Sequence, residues 1–191
     1  MANETHRQLD GEARRFLLDW ARRSIRAALA GESAPTASEP LPAPVEDPGG
    51  CFVSLHTRQG DLRGCIGTFD ASQPLWRSVA SMAVAAATQD YRFAPLALAN
   101  LDDCVIEISA LTPPRPIAPA QIVIGEHGLW ISQGARHGVL LPQVATSHGW
   151  DRETFLAHTC TKAGLPEGAW REPSTSVEAF GAAVFSEESE V

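Results

Sequence analysis

Apolar positions recur at helical spacing near the start of the chain. Between Leu9 and Leu29 they fall three or four residues apart, with charged residues between them. This period predicts an amphipathic helix that packs its apolar stripe into a core and ends near Gly31. The next stretch, 32–50, holds five prolines and predicts a meandering surface connection.

Two strand-like runs follow, Cys51–Thr57 and Leu62–Gly67, separated by the short connector Arg58–Asp61. This pattern predicts a β-hairpin. If Thr57 pairs with Leu62, Ser54 lies opposite Cys65.

In that register, alternation divides the hairpin into a core face and a second face. The core face carries Val53, Leu55 and Ile66, and the second face carries Ser54, His56, Arg63 and Cys65. A slip of one residue would exchange the two faces. Glycines weaken a strand, so Gly64 and Gly67 indicate a bulge or the close approach of another backbone or a ligand.

A second helix is predicted to start at Ser72-Gln73-Pro74 and to end by about Gln89. A clear strand then runs from Cys104 to Leu111, with Glu107 in its middle. A carboxylate beside apolar neighbours is costly unless it is solvated or paired. Glu107 therefore lies either on a wet sheet face or in a cleft.

The segment Thr112–Pro119 holds four prolines and predicts a hinge into a second lobe. The lobe's predicted elements are short strands at Gln121–Ile124, Leu129–Ser132 and Val139–Leu141, a helix at Pro142–His148, and a helix capped by Asp151 and closed by Gly164. Val177–Phe185 predicts a last strand, and Glu187–Val191 a charged, frayed tail.

Composition narrows the function classes for these 191 residues. The net charge of −8 and the lack of a Lys/Arg cluster argue against nucleic acid as a partner. No run of about 18 apolar residues predicts a membrane span, and the polar N-terminus lacks a signal-like stretch, so a cytoplasmic protein is expected. The four cysteines form no CxxC pair, so free thiols are expected, and neither a metal nor a cofactor is predicted.

The run Leu62-Arg63-Gly64-Cys65-Ile66-Gly67 resembles the LRGCIG signature of the AMMECR domain family, called AmmeMemoRadiSam system protein A in prokaryotes. The segment from Asp90 to Leu96 resembles the family's DPRFxPL, with Tyr91 where proline is usual. The segments 106–114 and 125–129 resemble its IEISVLTPP and GxHGL. The resemblance continues in order from about Cys51 to Phe185.

The resemblance implies a two-lobed α+β fold in one domain, 1–191. The larger lobe would hold about 1–112 and 171–191, with helices flanking an antiparallel sheet. The smaller lobe, about 113–170, would carry a three-stranded sheet and helices. The signature would face the cleft between the lobes. A pathway shared with Memo-like and radical SAM proteins is also implied, whereas the substrate is not.

The sharpest chemical hypothesis is that Cys65 is a catalytic thiol, with His127 as general base and Glu107 orienting a histidine. Substrate would be bound by the remaining candidates, Arg63, Gly64, Gly67, His56 and Arg92. Guanidinium groups suit carboxylate or phosphate, although each arginine has an acid of the chain as an alternative partner. The other hypotheses are a half-buried strand whose cysteine is a small hydrophobe and a non-catalytic scaffold that binds a partner segment.

Overall fold

The computed structural model describes residues 8–37 and 40–189. These residues form two compact units. The first contains Gln8–Leu111 and the stretch from Ala183 onward, and the second contains Thr112–Ala182. Each unit has helices and its own four-stranded sheet, so the predicted α+β fold class is confirmed.

Helix α1, Gly11–Ala30, opens the first unit at the predicted place. The side chain of Asp10 accepts a hydrogen bond from the backbone N–H of Ala13, which caps the helix start. Gly31 ends the helix in the left-handed conformation, with φ of 69°. Its buried stripe contributes to a core shared with helix α2, Leu75–Thr88.

The sheet of the first unit has the order β2-β1-β3-β8. Its strands are β1, Cys51–Thr57, β2, Leu62–Thr68, β3, Cys104–Leu111, and β8, Ala182–Ser186. The predicted hairpin register holds from Cys51 to Leu55 and places Ser54 opposite Cys65. Beyond Leu55 the register shifts, because His56 pairs with Leu62 and not with Arg63. Arg63 is therefore the additional residue of a β-bulge.

One face of this sheet is buried as the alternation predicts. Its completely buried side chains are Val53, Leu55, Ile106 and Ile108, and Ile66 packs against the same core. Burying an aliphatic side chain of this size contributes about 2 kcal/mol. This burial fixes the register, since a one-residue slip would turn these residues outward.

The second unit has a sheet of order β4-β7-β5-β6. Its strands are β4, Arg115–Pro116, β5, Gly128–Gln133, β6, Arg136–Leu140, and β7, Ser176–Phe180. Helices α3, Pro142–Ser147, and α4, Arg152–Lys162, complete the unit, and Asp151 caps α4 as predicted. The core of this unit centres on Phe155, Leu129 and Ile131.

Three expectations for this unit were wrong. Its sheet has four strands and not three, because β4 forms within the predicted hinge and β7 joins from the predicted strand Val177–Phe185, which is interrupted at Gly181. Residues 171–182 consequently belong here and not to the larger lobe. No strand forms at Gln121–Ile124, where a short 3₁₀ turn at Pro119–Gln121 is followed by irregular chain.

Glu187 also departs from expectation, because it is not part of a frayed tail. Its carboxylate pairs with Arg22 of α1 through two hydrogen bonds of 2.5 and 2.6 Å. It also accepts a hydrogen bond of 2.8 Å from the backbone N–H of Ile106. The chain after β8 is thereby tied to both α1 and β3. The last two residues, 190–191, lie outside the described residues.

Among the helices that the structure describes, none has the length and apolar character needed to cross a membrane.

Candidate functional site

Cys65 lies on the face of the first sheet that points away from the core. It is half-buried, and the hydroxyl of Ser54 on the neighbouring strand donates a hydrogen bond to its Sγ over 3.2 Å. The other cysteines, Cys51, Cys104 and Cys160, are all buried. Burial raises the pKa of Cys104 and of Cys160. Cys65 is therefore the thiol best placed to react.

The backbone of Cys65 is held on the open side of β2. Because β2 is an edge strand of its sheet, the backbone N–H and C=O groups on its outer side have no strand partner. The N–H of Cys65 donates to the carboxylate of Asp90 over 2.8 Å, and Nη2 of Arg92 donates to its carbonyl over 3.3 Å. Two side chains from the loop after α2 thus fix the position of the thiol-bearing residue.

Asp90 and Arg92 form an ion pair with hydrogen bonds of 2.6 and 2.9 Å. The Asp90 side chain is 4% exposed and that of Arg92 46% exposed. The hydrogen bond from Arg92 holds the pKa of Asp90 well below its ordinary value, against the opposing effect of burial. Arg92 was predicted to bind substrate, and the alternative was that it pairs with an acid of the chain. The structure shows this pairing, with Asp90 as the partner.

Tyr91, which occupies the position where the family usually has proline, does not disturb this pair. Its side chain is 95% exposed. The backbone N–H of Arg92 donates to the Asp90 carboxylate over 3.2 Å and closes a local turn. The side chain of Asp90 therefore holds this turn, and the side chain of Tyr91 takes no part in it.

Three side chains of the outward face lie in one row across three strands. Cys65 of β2 pairs with Ser54 of β1, and Ser54 pairs with Glu107 of β3. His56 of β1 lies two residues along from Ser54, so it is the diagonal neighbour of both Cys65 and Glu107. Diagonal neighbours in a sheet are separated by about 7–8 Å between Cα atoms, which long side chains can span.

His56 and Glu107 also share an open depression of about 300 Å³. It is further lined by the hairpin connector and by Ser186 and Glu188. Within the described part of the chain, the side chains of His56 and Glu107 form neither a hydrogen bond nor an ion pair. A half-buried carboxylate without a partner is uncommon, so these two groups are available to each other or to a ligand.

Arg63 does not flank Cys65 as predicted. The bulge removes it from the alternation, and its Nη2 donates to the carbonyl of Ala94 over 2.8 Å. Its side chain lines a different depression, together with Thr57 and Cys104, which lie on the same side of their strands as the core residues Leu55 and Ile106. The prediction that Arg63 and Cys65 share one face is wrong.

The two signature glycines are explained by packing. A Cβ on Gly64 would lie 2.2 Å from the carbonyl oxygen of Ala86, so only glycine lets α2 approach β2 this closely. A Cβ on Gly67 would lie 2.2 Å from the ring of Phe52. The sequence left open whether a backbone or a ligand approaches these glycines, and at Gly64 it is a backbone. Gly64 is buried and offers no surface to a substrate.

His127 lies in the second unit, in the turn before β5. Its Nδ1 accepts a hydrogen bond of 3.0 Å from the backbone N–H of Val123. A neutral ring held this way carries its hydrogen on Nε2 and presents a donor. In this tautomer the acceptor nitrogen is already occupied by Val123, which is unfavourable for the general-base role predicted for His127. The predicted approach of His127 to Cys65 stays a prediction.

No group of three His, Cys, Asp or Glu side chains within residues 8–37 and 40–189 is arranged to hold a metal ion.

Two contributors were not among the predicted site residues. Asp90 was considered only as one possible partner for an arginine, although the spacing Asp-x-Arg is typical of a local ion-paired turn. Ser54 was placed on the correct face but given no role. Its position opposite Cys65 in the predicted hairpin was the signal that could have identified it.

Comparison with known proteins identifies the family. The AMMECR1 family model matches residues 18–185. A protein of Methanothermobacter thermautotrophicus is 41% identical over 181 residues, which cover 91% of this chain and 94% of that protein. A protein of Methanocaldococcus jannaschii is 40% identical over 180 residues, covering 90% of this chain and 89% of that protein.

A solved structure agrees with this match. The crystal structure of an uncharacterised protein from Pyrococcus horikoshii is similar with a TM-score of 0.84 and 38% identity, covering 94% of this chain and 92% of that one. Family model, sequence relatives and solved structure thus agree over nearly the whole length. The chain belongs to the AMMECR1 family.

Proposed function

We propose that this protein is a thiol-dependent enzyme with Cys65 as its nucleophile, His56 as the proton acceptor and Glu107 as the residue that orients His56. The observation that carries the proposal is the arrangement on three adjacent strands, in which His56 is diagonal to both Cys65 and Glu107. Histidine between a thiol and a carboxylate is the order that nucleophilic catalysis requires.

The chemistry is nucleophilic attack on an electrophilic carbon. The thiol proton of Cys65 passes to the imidazole of His56, and Sγ forms a bond to the carbon. The bond to the leaving group breaks, and the leaving group departs with the proton from His56. The hydroxyl of Ser54 supports the anionic sulfur by donating to it. In this proposal the substrate occupies the depression lined by His56 and Glu107, and its electrophilic carbon extends to Cys65, which lies outside that lining.

Alkylation of Cys65 by iodoacetamide tests the proposal. The rate is measured against pH on the folded protein, and the modified residue is mapped by mass spectrometry. We expect His56→Asn to slow the reaction near neutral pH about tenfold, because the thiol loses its proton acceptor. Glu107→Gln should slow it less, because it removes only the orienting group.

The matched control is His148→Asn, which changes an exposed histidine of the second unit. Its profile should equal that of the unchanged protein. If His56→Asn also leaves the profile unchanged, or if Cys65 reacts no faster than a thiol of the unfolded chain at every pH, the enzyme proposal fails.

The second candidate is a non-catalytic binding module. The observation that favours it is that Sγ of Cys65 bonds to a hydroxyl and not to an imidazole. The family resemblance suggests Memo-like and radical SAM proteins as partners. Co-elution of the purified proteins, retained in Cys65→Ala, would support this function, whereas no co-elution with the unchanged protein would count against it.

A further inference from the structure

A second depression in the first unit contains two arginines. It has a volume of about 430 Å³ and lies where the hairpin connector meets the segment Leu96–Cys104. Arg58 and Arg63 both line it, and Leu96 and Cys104 provide its apolar surface. It shares Thr57, Arg58 and Gln59 with the depression beside Glu107, but neither Glu107 nor His56 lines it.

Each guanidinium is held by a backbone carbonyl. Nη2 of Arg58 donates to the carbonyl of Asp102 over 3.0 Å, and Nη2 of Arg63 donates to that of Ala94 over 2.8 Å. These bonds restrict the side chains before any ligand arrives. Less conformational entropy is then lost on binding.

Neither of these arginines has an ion-pair partner among the described residues, although Asp103 also lines the depression. Arg63 is half-buried, and a half-buried cation without a carboxylate is costly. Burial raises the pKa of the Cys104 thiol, and the positive charge of Arg63 opposes this effect. The electrostatic effect of Arg63 therefore reaches Cys104, which also lines the depression.

The geometry points to a binding site for a small organic oxyanion, a carboxylate or a phosphate monoester, held by Arg58 and Arg63. Guanidinium groups present paired N–H donors that match the oxygens of either anion. The apolar surface of Leu96 and Cys104 suits the carbon part of such a ligand. The depression is within the size range of small-molecule sites.

The test measures thermal stabilisation and heat of binding for two probes, inorganic phosphate and succinate, against sodium chloride at equal ionic strength. A ligand that binds only the folded state raises the melting temperature in a saturable way. We expect saturable binding of at least one probe. The tighter probe identifies the ligand as a phosphate or a dicarboxylate.

The variants are Arg58→Gln, Arg63→Gln and the double change. Each single change should weaken binding about tenfold and the double change should abolish it, because each removes charge-assisted hydrogen bonds. The control is Arg77→Gln, since Arg77 is also exposed but lies over Trp76. Melting temperatures without ligand check that the variants fold.

Two outcomes overturn the inference. One is that neither probe exceeds the effect of sodium chloride. The other is that the double variant binds as well as Arg77→Gln. Neither outcome bears on Cys65, because alkylation is measured without these probes.

Discussion

The carboxylate of Asp90 accepts a hydrogen bond of 2.8 Å from the backbone N–H of Cys65, 25 positions earlier in the chain. The same carboxylate binds the guanidinium of Arg92, which in turn donates to the carbonyl of Cys65. The Asp-x-Arg turn and the Cys65 signature are therefore one structural element. A substitution in the turn should therefore also disturb the position of Cys65, and a disturbance of β2 at Cys65 should weaken the turn.

Asp90→Asn should make the protein less stable at neutral pH and less sensitive to acid. The folded-state pKa of Asp90 lies well below its ordinary value of 3.8. Its contribution is therefore complete above that value and is lost as the pH falls towards the folded-state pKa. We expect a loss of about 2 kcal/mol in the free energy of unfolding at neutral pH. Urea unfolding measured from neutral pH to below 3.8 checks this.

The unchanged protein should lose stability over that acidic range more steeply than Asp90→Asn. Parallel pH dependences for the two proteins would show that another carboxyl group is responsible.

The same two residues should tune the reactivity of Cys65 in opposite directions. Arg92 is a cation near the thiol, and Asp90 largely neutralises it. Asp90→Asn should raise the alkylation rate of Cys65 at neutral pH, because the cation of Arg92 is no longer neutralised. Arg92→Gln should lower that rate. Rates of iodoacetamide modification, mapped to Cys65, measure both changes, and a change of both variants in the same direction would refute the electrostatic account.

Gly64→Ala should destabilise the protein by about 3 kcal/mol, because the added Cβ meets the backbone of α2 and neither element can yield without repacking. The added Cβ would lie 2.2 Å from the carbonyl oxygen of Ala86. Gly168→Ala is the control, since its nearest neighbour is a side-chain nitrogen of Arg171 at 3.9 Å. Its effect should stay within about 0.5 kcal/mol. Thermal unfolding measures the loss of stability in each variant. Equal losses in Gly64→Ala and Gly168→Ala would contradict the packing argument.

Glu187→Gln should lower the free energy of unfolding by about 2 kcal/mol, because the partly buried Arg22 loses its closer charged partner and keeps only Asp102 at 3.8 Å. The neighbouring change Glu188→Gln removes the same charge at an exposed position and should have little effect. Chemical denaturation compares the two. If both variants unfold alike, the ion pair with Arg22 contributes nothing measurable.

The hairpin and its faces could be predicted from the sequence because a one-residue slip would no longer bury Val53, Leu55 and Ile66 on one face. The exact position of the bulge could not, since Gly64 indicated either a bulge or a close approach and did not identify Arg63 as the additional residue. The close approach of the Ala86 carbonyl in α2 to Gly64 could not be predicted either. Helix-to-strand distances of this kind depend on tertiary packing.

The site was predicted in part for a similar reason. Cys65, His56 and Glu107 follow from strand alternation, and the structure places them on neighbouring strands of one face. The role of Asp90 depends on a loop running beside β2, and loop paths are not encoded in a periodic pattern. The tautomer of His127 likewise depends on one backbone contact within its own turn.

The pairing of Asp90 and Arg92 with the outer side of β2 has a consequence for how copies of this protein behave in concentrated solution. An uncovered outer strand is a template onto which a second chain can add by backbone pairing. The two side chains occupy the donor and acceptor that such an intruder would need at Cys65. The ion pair thus blocks the pairing of a second chain with β2 at Cys65.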